Sequence, residues 1–427
     1  MLILSLGFVH ATTLEEIAQG LWTIWSSPAL LPSDYIAMVG LGSAFVNASL
    51  AGGLALSVLK LFKTGMGGLQ MGAMGLVIGF AFFGKNPANM LPILLGGYIY
   101  ARYKKEAYRN HVTISLFATC LGPIVSQPAH TQEILAHLGT MSGVILGILI
   151  GLAIGFFISP IAGAVRKYHE GRNLYNVGWA AGLLAMSMTL VYVILGVEPF
   201  VHYIAPWGLT DGRYNRELYI FLVLTTGYFW VAGGVAIWQT GEKIYPKELL
   251  SMKADDNHFY QKYGAGYTYL AMGTLGLLAL AVTLLFRVNM NAAILGAILS
   301  MIGWGGFGKS VVNSTIIIAG VILGATFHLM AVSIFFPLSG SGATMSFSTF
   351  YTTNGVIWSS AFWGTCLSPM VKHFGWKRGI LVGMMHFFVA SNIASFHWGQ
   401  NLYNNGLAAG LVCVVLLWIF RVWDKFC

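Results

Sequence analysis

Apolar residues along this chain run in long blocks, and the polar residues between them fall in short clusters. A block of about 20 apolar residues crosses a bilayer as a helix, because a helix closes its own backbone hydrogen bonds. Thirteen such spans are expected, near 35–61, 66–84, 88–101, 112–127, 139–163, 177–196, 218–238, 266–286, 291–307, 314–337, 351–371, 379–396 and 405–419. Those beginning at Ala88, Val112 and Asn291 are short for a full crossing, which leaves half-helices or re-entrant segments open there. Ahead of the first span, Thr13 and Glu16 have capping-box spacing, and 14–25 alternates acidic and apolar faces. That segment reads as an interfacial helix on the outer surface. The pattern predicts an all-α polytopic membrane protein.

Composition sharpens this picture. Apolar residues make up 57% of the chain and charged residues only 9%, against about 25% charged in ordinary soluble domains. The net charge of +9 belongs to loops between spans, so nucleic acid is excluded as a partner. With the N-terminus outside and the C-terminus in the cytoplasm, 19 of the 23 Lys and Arg residues are cytoplasmic, leaving Lys85, Arg213, Arg216 and Arg287 outside. That is the asymmetry of the positive-inside rule. The first 34 residues hold no Lys or Arg, which argues against a signal peptide. The four cysteines show no metal spacing, and no cofactor is expected. Of the fourteen acids only Glu198 approaches a span. A proton-coupled carrier usually keeps a carboxylate in its core, so the chain reads as a facilitator or channel, or as a carrier coupled to sodium through carbonyl, Asn and Ser oxygens. The 339–342 Ser-Gly-Ser-Gly run suits either such an oxygen-rich loop or a plain outer loop.

The chain is duplicated. Residues 72–101 align without a gap to 296–325, with 11 of 30 identical, including Gly84-Lys85 with Gly308-Lys309 and Asn89 with Asn313. Thr119-Cys120-Leu121 with Pro123 recurs as Thr365-Cys366-Leu367 with Pro369. HEGRNLYNVGWAAGL from His169 recurs as HWGQNLYNNGLAAGL from His397, with 11 of 15 identical. Seven predicted spans separate Lys85 from Lys309, and an odd number inverts the second copy. The expected organisation is an outer interfacial segment (1–34), a first repeat (35–198), a linking helix with its loops (199–265) and an inverted repeat (266–427), or six, one and six helices. Inverted repeats of this kind build transporters and channels, whose sites form at the repeat interface.

The opening GLWTIWSSPALLPSDYIAMVGLGSAFVNASLAG, the FFGKNPAN and FGKSVVN pair and the two NLYN segments resemble an uncharacterised, internally duplicated bacterial membrane-protein family, domain of unknown function 1576. The resemblance covers nearly the whole chain and implies a bacterial cytoplasmic membrane, with no assigned activity. More distantly, Asn47–Gly52 and 403–406 are similar to the Asn-containing apolar motifs of urea channels, which consist of two inverted halves.

The duplicated polar residues are the candidates for a pathway. Asn89 and Asn313 sit four residues after a Gly-Lys break, placed either to cap a helix or to contact a solute. Lys85 and Lys309 read as anion attractants at opposite mouths, or as side chains that snorkel to the interface or bond helix carbonyls. Asn173, Tyr175 and Asn176, with Asn401, Tyr403 and Asn404, open helices rich in Gly and Ala, as a pathway or as caps on a close crossing. His169 and His397 read as proton shuttles or as capping groups. Thr119 and Thr365 are placed to satisfy a carbonyl freed by the proline four residues on. The expected function is a transporter or channel-like facilitator of a small polar solute, neutral or anionic. Its partners would be that solute or ion and membrane lipids, with homo-oligomers left open. The alternatives are a membrane-embedded enzyme, which lacks HExxH, paired intramembrane aspartates and Gly-x-Ser-x-Gly here, and a structural or regulatory subunit of a membrane complex.

Overall fold

The computed structural model describes residues 13–31, 33–197, 211–241, 259–335 and 346–426, with positions 3, 6, 7 and 10. Glu198 and the 339–342 run lie outside the described residues. Among those described there is no β-strand, and the chain is an all-α polytopic membrane protein. Helix α1 (Leu14–Trp25) starts where the capping spacing places it, with Thr13 Oγ1 accepting from Glu16 N at 3.1 Å. It buries Ile17 and Ile24 and leaves Leu14 and Trp22 exposed. The first half continues through α2 (Tyr35–Leu61), α3 (Gly68–Phe80), α4 (Pro87–Tyr103), α5 (Val112–Ala118), α6 (Gly122–Ser126), α7 (Gln132–His169) and α8 (Asn176–Ile194). Helix α9 (Asn215–Thr240) links it to α10 (Phe259–Leu285), α11 (Ala292–Gly305), α12 (Val311–Phe335), α13 (Phe347–Thr353), α14 (Gly355–Gly364), α15 (Ser368–Ala390) and α16 (Asn404–Phe426).

The thirteen expected spans divide into full-length and shorter segments. Among the described residues, 8 segments are long and apolar enough to span: Tyr35–Leu61, Val112–His130, Gly139–His169, Asn176–Ile194, Asn215–Thr240, Phe259–Leu285, Val311–Ile334 and Asn404–Phe426. The other expected spans are shorter or broken. Helices α3 and α11 have 13 and 14 residues, roughly 20 Å at 1.5 Å per residue against a core of about 30 Å. The expected 351–371 span is divided into α13, α14, a 3₁₀ turn at Thr365–Leu367 and the start of α15. Pro369 has no N–H to continue the ladder, and the tighter turn precedes it. The same turn recurs at Thr119–Leu121, before Pro123.

The duplication is visible in the backbone. Left-handed residues recur in register: Gly40 with Gly264, Lys63 with Arg287, Gly84 with Gly308, Gly139 with Gly375, Glu170 with Trp398, and Gly171 with Gly399. Equivalent helices pack on one another in antiparallel order, Gly79 of α3 against Gly296 of α11 and Gly75 against Gly303. A Cβ on Gly79 would fall 2.6 Å from the Gly296 carbonyl oxygen, so glycine is what lets the two backbones touch. In each half a parallel pair is closed the same way, Gly96 of α4 on Gly155 of α7 and Gly320 of α12 on Gly383 of α15. The halves also exchange backbone bonds. Leu174 N donates to Cys366 O and Leu402 N to Cys120 O, both at 3.1 Å. Asp34 ties them again, accepting from Ala37 N of α2 at 2.9 Å and from Ala292 N of α11 at 3.1 Å.

Candidate functional site

The two NLYN segments meet between the halves. Before each, a pair of left-handed residues turns the chain back, Glu170 and Gly171 in one and Trp398 and Gly399 in the other. Asn173 Oδ1 then accepts from Tyr175 N at 2.9 Å, and Asn401 Oδ1 from Tyr403 N at 3.0 Å, which pins each tyrosine at a helix start. Asn176 Nδ2 donates to Ala162 O and Asn404 Nδ2 to Ala390 O, both at 2.9 Å. The Oδ1 atoms of these two asparagines face His169 Nε2 at 2.8 Å and His397 Nε2 at 3.0 Å. With the amide nitrogen committed to a carbonyl, Oδ1 accepts and the histidine Nε2–H donates. The histidines therefore hold helix starts in place, the capping role the sequence left open.

Tyr175 and Tyr403 meet at the centre, with ring centroids 4.8 Å apart and the ring planes tilted by 47°. Each also reaches α3 or α11 of the opposite half, Tyr175 packing on Trp304 at 5.5 Å and Tyr403 on Phe80 at 5.4 Å. Phe80 stacks on Trp363 and Trp304 on Phe117. These are two copies of one contact, because Phe80 and Trp304 hold equivalent positions, as do Phe117 and Trp363. Sequence reasoning passed over this aromatic cluster. Its signal was present: the ungapped alignment pairs Phe80 with Trp304, and Phe117 and Trp363 each stand two residues before a Thr-Cys-Leu turn.

The lysines are not at the mouths. Lys85 is 0% and Lys309 1% exposed, which overturns both the surface-attractant and the snorkelling reading. Each lies at the break after a short helix, beside the cysteine of its own Thr-Cys-Leu turn. Lys309 Nζ donates to Thr365 Oγ1 at 2.9 Å and sits 5.4 Å from the Tyr175 ring centroid. Lys85 Nζ lies 5.0 Å from the Phe80 centroid and has no hydrogen-bond partner. Neither ammonium belongs to an ion pair among the described residues. The Lys85 break is held by Asn47, whose Nδ2 donates to Ala81 O at 2.7 Å and Lys85 O at 2.9 Å while its Oδ1 accepts from Trp25 Nε1 at 3.1 Å. The second copy has Ala271 at that position.

Asn89 and Asn313 are placed as helix-start residues. Asn89 is buried in a reciprocal cap with Asn86, and its Nδ2 donates to Gly84 O at 3.1 Å and Ser126 Oγ at 3.3 Å. Asn313 is only half-buried, its N–H donating to Ser310 Oγ at 3.2 Å. Their surroundings differ, because the cap residue is Asn86 in one copy and Ser310 in the other. Thr119 and Thr365 donate to Leu116 O and Phe362 O, each at 2.6 Å. These carbonyls lie three residues back, not at the position freed by the proline, because the 3₁₀ turn brings the hydroxyl there.

A cavity of about 920 Å³ opens on the Asn173 side. Exposed Arg166, Glu170, Gly171 and Lys372 form its rim, and Tyr175, Tyr403, Trp304 and Phe117 its floor. Asn173, Asn176 and His169 also line it. Of the sequence-predicted residues, one NLYN set and Tyr403 thus share a cavity, while Asn89, Asn313, Thr119 and Thr365 stand elsewhere. Arg421 holds the Glu170 carboxyl below the usual carboxylate range, donating to its Oε1 at 2.7 Å, and Arg172 adds a bond at 3.0 Å. The Asn401 side is covered instead: Leu31 N donates to Gly399 O at 2.7 Å, and Ala29, Leu30 and Leu31 are buried. No three His, Cys, Asp or Glu side chains gather as a metal site among the described residues.

No curated protein and no solved structure matches the chain. The likeness to urea channels therefore rests on the sequence motifs alone. A family described as "Protein of unknown function (DUF1576)" matches residues 13–194 and again 247–422. The two matched regions leave out α9, the helix between the copies, and together they take in both NLYN segments, both buried lysines and the aromatic centre. By that coverage the chain belongs to the DUF1576 family.

Proposed function

We propose that the protein is a transporter or channel-like facilitator in the bacterial cytoplasmic membrane, N-terminus outside and C-terminus in the cytoplasm. It moves a small polar solute, neutral or anionic, along the interface of the two repeats. The observation that carries this reading is the cavity whose floor is built from both halves, Tyr175 of one and Tyr403 and Trp304 of the other. A cavity at such an interface is where an inverted-repeat transporter places its solute. Behind that floor lies the buried Lys309, with Nζ 5.4 Å from the Tyr175 ring centroid, and an ionisable side chain buried in a membrane protein is a functional-site candidate.

The test is passive flux into proteoliposomes of the full chain, with urea, simple amides, small anions and small cations offered in turn. At least one class should enter faster than into protein-free vesicles. No flux of any of them would remove the proposal and favour a structural subunit. The orientation is tested separately by single cysteines at Gly171 and Ser395, both exposed, in a background without native cysteines, which should label from opposite sides with an impermeant maleimide.

A further inference from the structure

We propose, building on the transport reading, that the cavity on the Asn173 side binds a small organic anion: a carboxylate carried on an apolar body, with Lys309 supplying the compensating charge through the Tyr175 floor.

The first support is the balance of donors and acceptors. Four buried nitrogens lining the cavity have no partner, and three of them, Arg172 Nε, Asn173 Nδ2 and Trp304 Nε1, are N–H donors. The unpartnered Ser159 and Tyr403 hydroxyls serve either way. Trp304 Nε1 and the Tyr403 hydroxyl lie beside one another without a well-formed bond between them. His169 Nδ1 is the one bare acceptor in this set, because its Nε2–H is given to Asn176. A buried donor left unmade is costly, and a ligand made mostly of acceptor oxygens relieves these at once. A neutral amide brings its own N–H groups to a surface already rich in them.

The second support is charge. Among the described residues, Arg166 and Arg172 line the cavity with one acid, Glu170, which is already engaged by Arg172 and Arg421. Lys309 lies beneath Tyr175, with Thr365 Oγ1 as its hydrogen-bond partner and no ion pair among the described residues. A buried charge is tolerated when it is paired, and an arriving anion provides the pair.

The third support is shape. The floor is aromatic, and 920 Å³ lies within the range of organic-ligand sites and well above the need of a bare inorganic ion.

The test uses purified full-length protein in detergent, read by tryptophan fluorescence, since Trp304 lines the cavity. Benzoate, benzamide, and sulfate with phosphate are the probes. Benzoate should give a saturable change at least tenfold tighter than benzamide. Asn173→Ala should weaken benzoate about five- to tenfold, and Lys309→Gln at least tenfold, with Lys309→Arg in between. Benzamide binding as well as benzoate, sulfate or phosphate displacing benzoate at lower concentration, or unchanged benzoate affinity in Lys309→Gln would each overturn the proposal. If Lys309→Gln does not purify as a folded species, the wild-type probe series and Asn173→Ala decide. Neutral-solute flux without benzoate binding would sink this inference and leave transport standing. Benzoate binding without flux of any solute would do the reverse.

Discussion

The loop through Asn173 and the loop through Asn401 are the same object built twice, yet only one of them borders the described cavity. Their backbones turn at equivalent left-handed residues, and their His–Asn–Ala bonds agree to within 0.2 Å. What differs is the dressing. Arg166, Glu170 and Arg172 around the first loop become Ala394, Trp398 and Gln400 around the second. Rim charge goes with the open side, and the uncharged copy lies under the 29–31 segment. The lysines differ in the same sense, Lys309 engaged by Thr365 and Lys85 left without a partner. The duplicated scaffold sets the crossing, and the residues free to diverge set which side gathers charge.

The largest expected effect breaks this comparison at matching glycines. Gly171 and Gly399 both hold φ near 75°, where any Cβ costs about 1–2 kcal/mol. Around Gly171 an added Cβ would meet nothing within 4 Å, whereas at Gly399 it would fall 2.3 Å from Leu31 O. Gly171→Ala should therefore lower stability by about 1–2 kcal/mol. Gly399→Ala should lose about 1–3 kcal/mol more, from overpacking against backbone. Thermal unfolding of the two variants in the same detergent measures the difference. Equal shifts would mean that the 29–31 segment does not press on the second loop.

Much of this was legible in the sequence. The duplication, the α1 cap and the polar residues at helix starts follow from spacing alone, because a local bond such as Thr13 to Glu16 is fixed by the residues that make it. The lysines were misplaced because an apolar-block reading assigns a cation between two blocks to the membrane surface. Here the blocks are short helices, and Gly84 and Gly308 turn the chain inside the protein. The aromatic centre was missed for a related reason. Phe and Trp in an apolar run look like lipid-facing or core residues alike, and only the fold brings Tyr175 of one half onto Trp304 of the other. The pairing of Asn47 with the Lys85 break joins residues 38 apart and has no local signature.

A smaller effect sharpens the contrast between the lysines. Thr365→Val removes the hydroxyl that accepts from Lys309 as well as the bond to Phe362 O. Thr119→Val removes only the bond to Leu116 O. A hydrogen bond to a charged group contributes about 1.5–3 kcal/mol and a neutral one about 0.5–1.5. Unfolding midpoints should thus fall further for Thr365→Val by about the charged bond. Equal losses would show that Lys85 engages Thr119 as Lys309 engages Thr365, and the two halves would differ less than their geometry indicates.

The smallest effect belongs to Glu170, whose counterpart Trp398 has no charge to titrate. Arg421 and then Arg172 favour the ionised carboxylate, so its folded-state pKa is depressed. A depressed carboxylate contributes its stability above its unfolded pKa and loses it as the pH falls through the lower, folded value. The group is partly exposed at the cavity rim, and exposed pairs contribute about 0–1 kcal/mol. Glu170→Gln should therefore destabilise slightly at neutral pH, and the gap to wild type should close as the pH drops below the ordinary carboxylate range. Molar salt, with a screening length of about 3 Å, should shrink the gap as well. The measurement is the difference in unfolding temperature between the two proteins across pH at low and high salt. A gap that widens toward acid would mean that Glu170 is held protonated, and it would then not compete with an anion for Arg172 and Arg421.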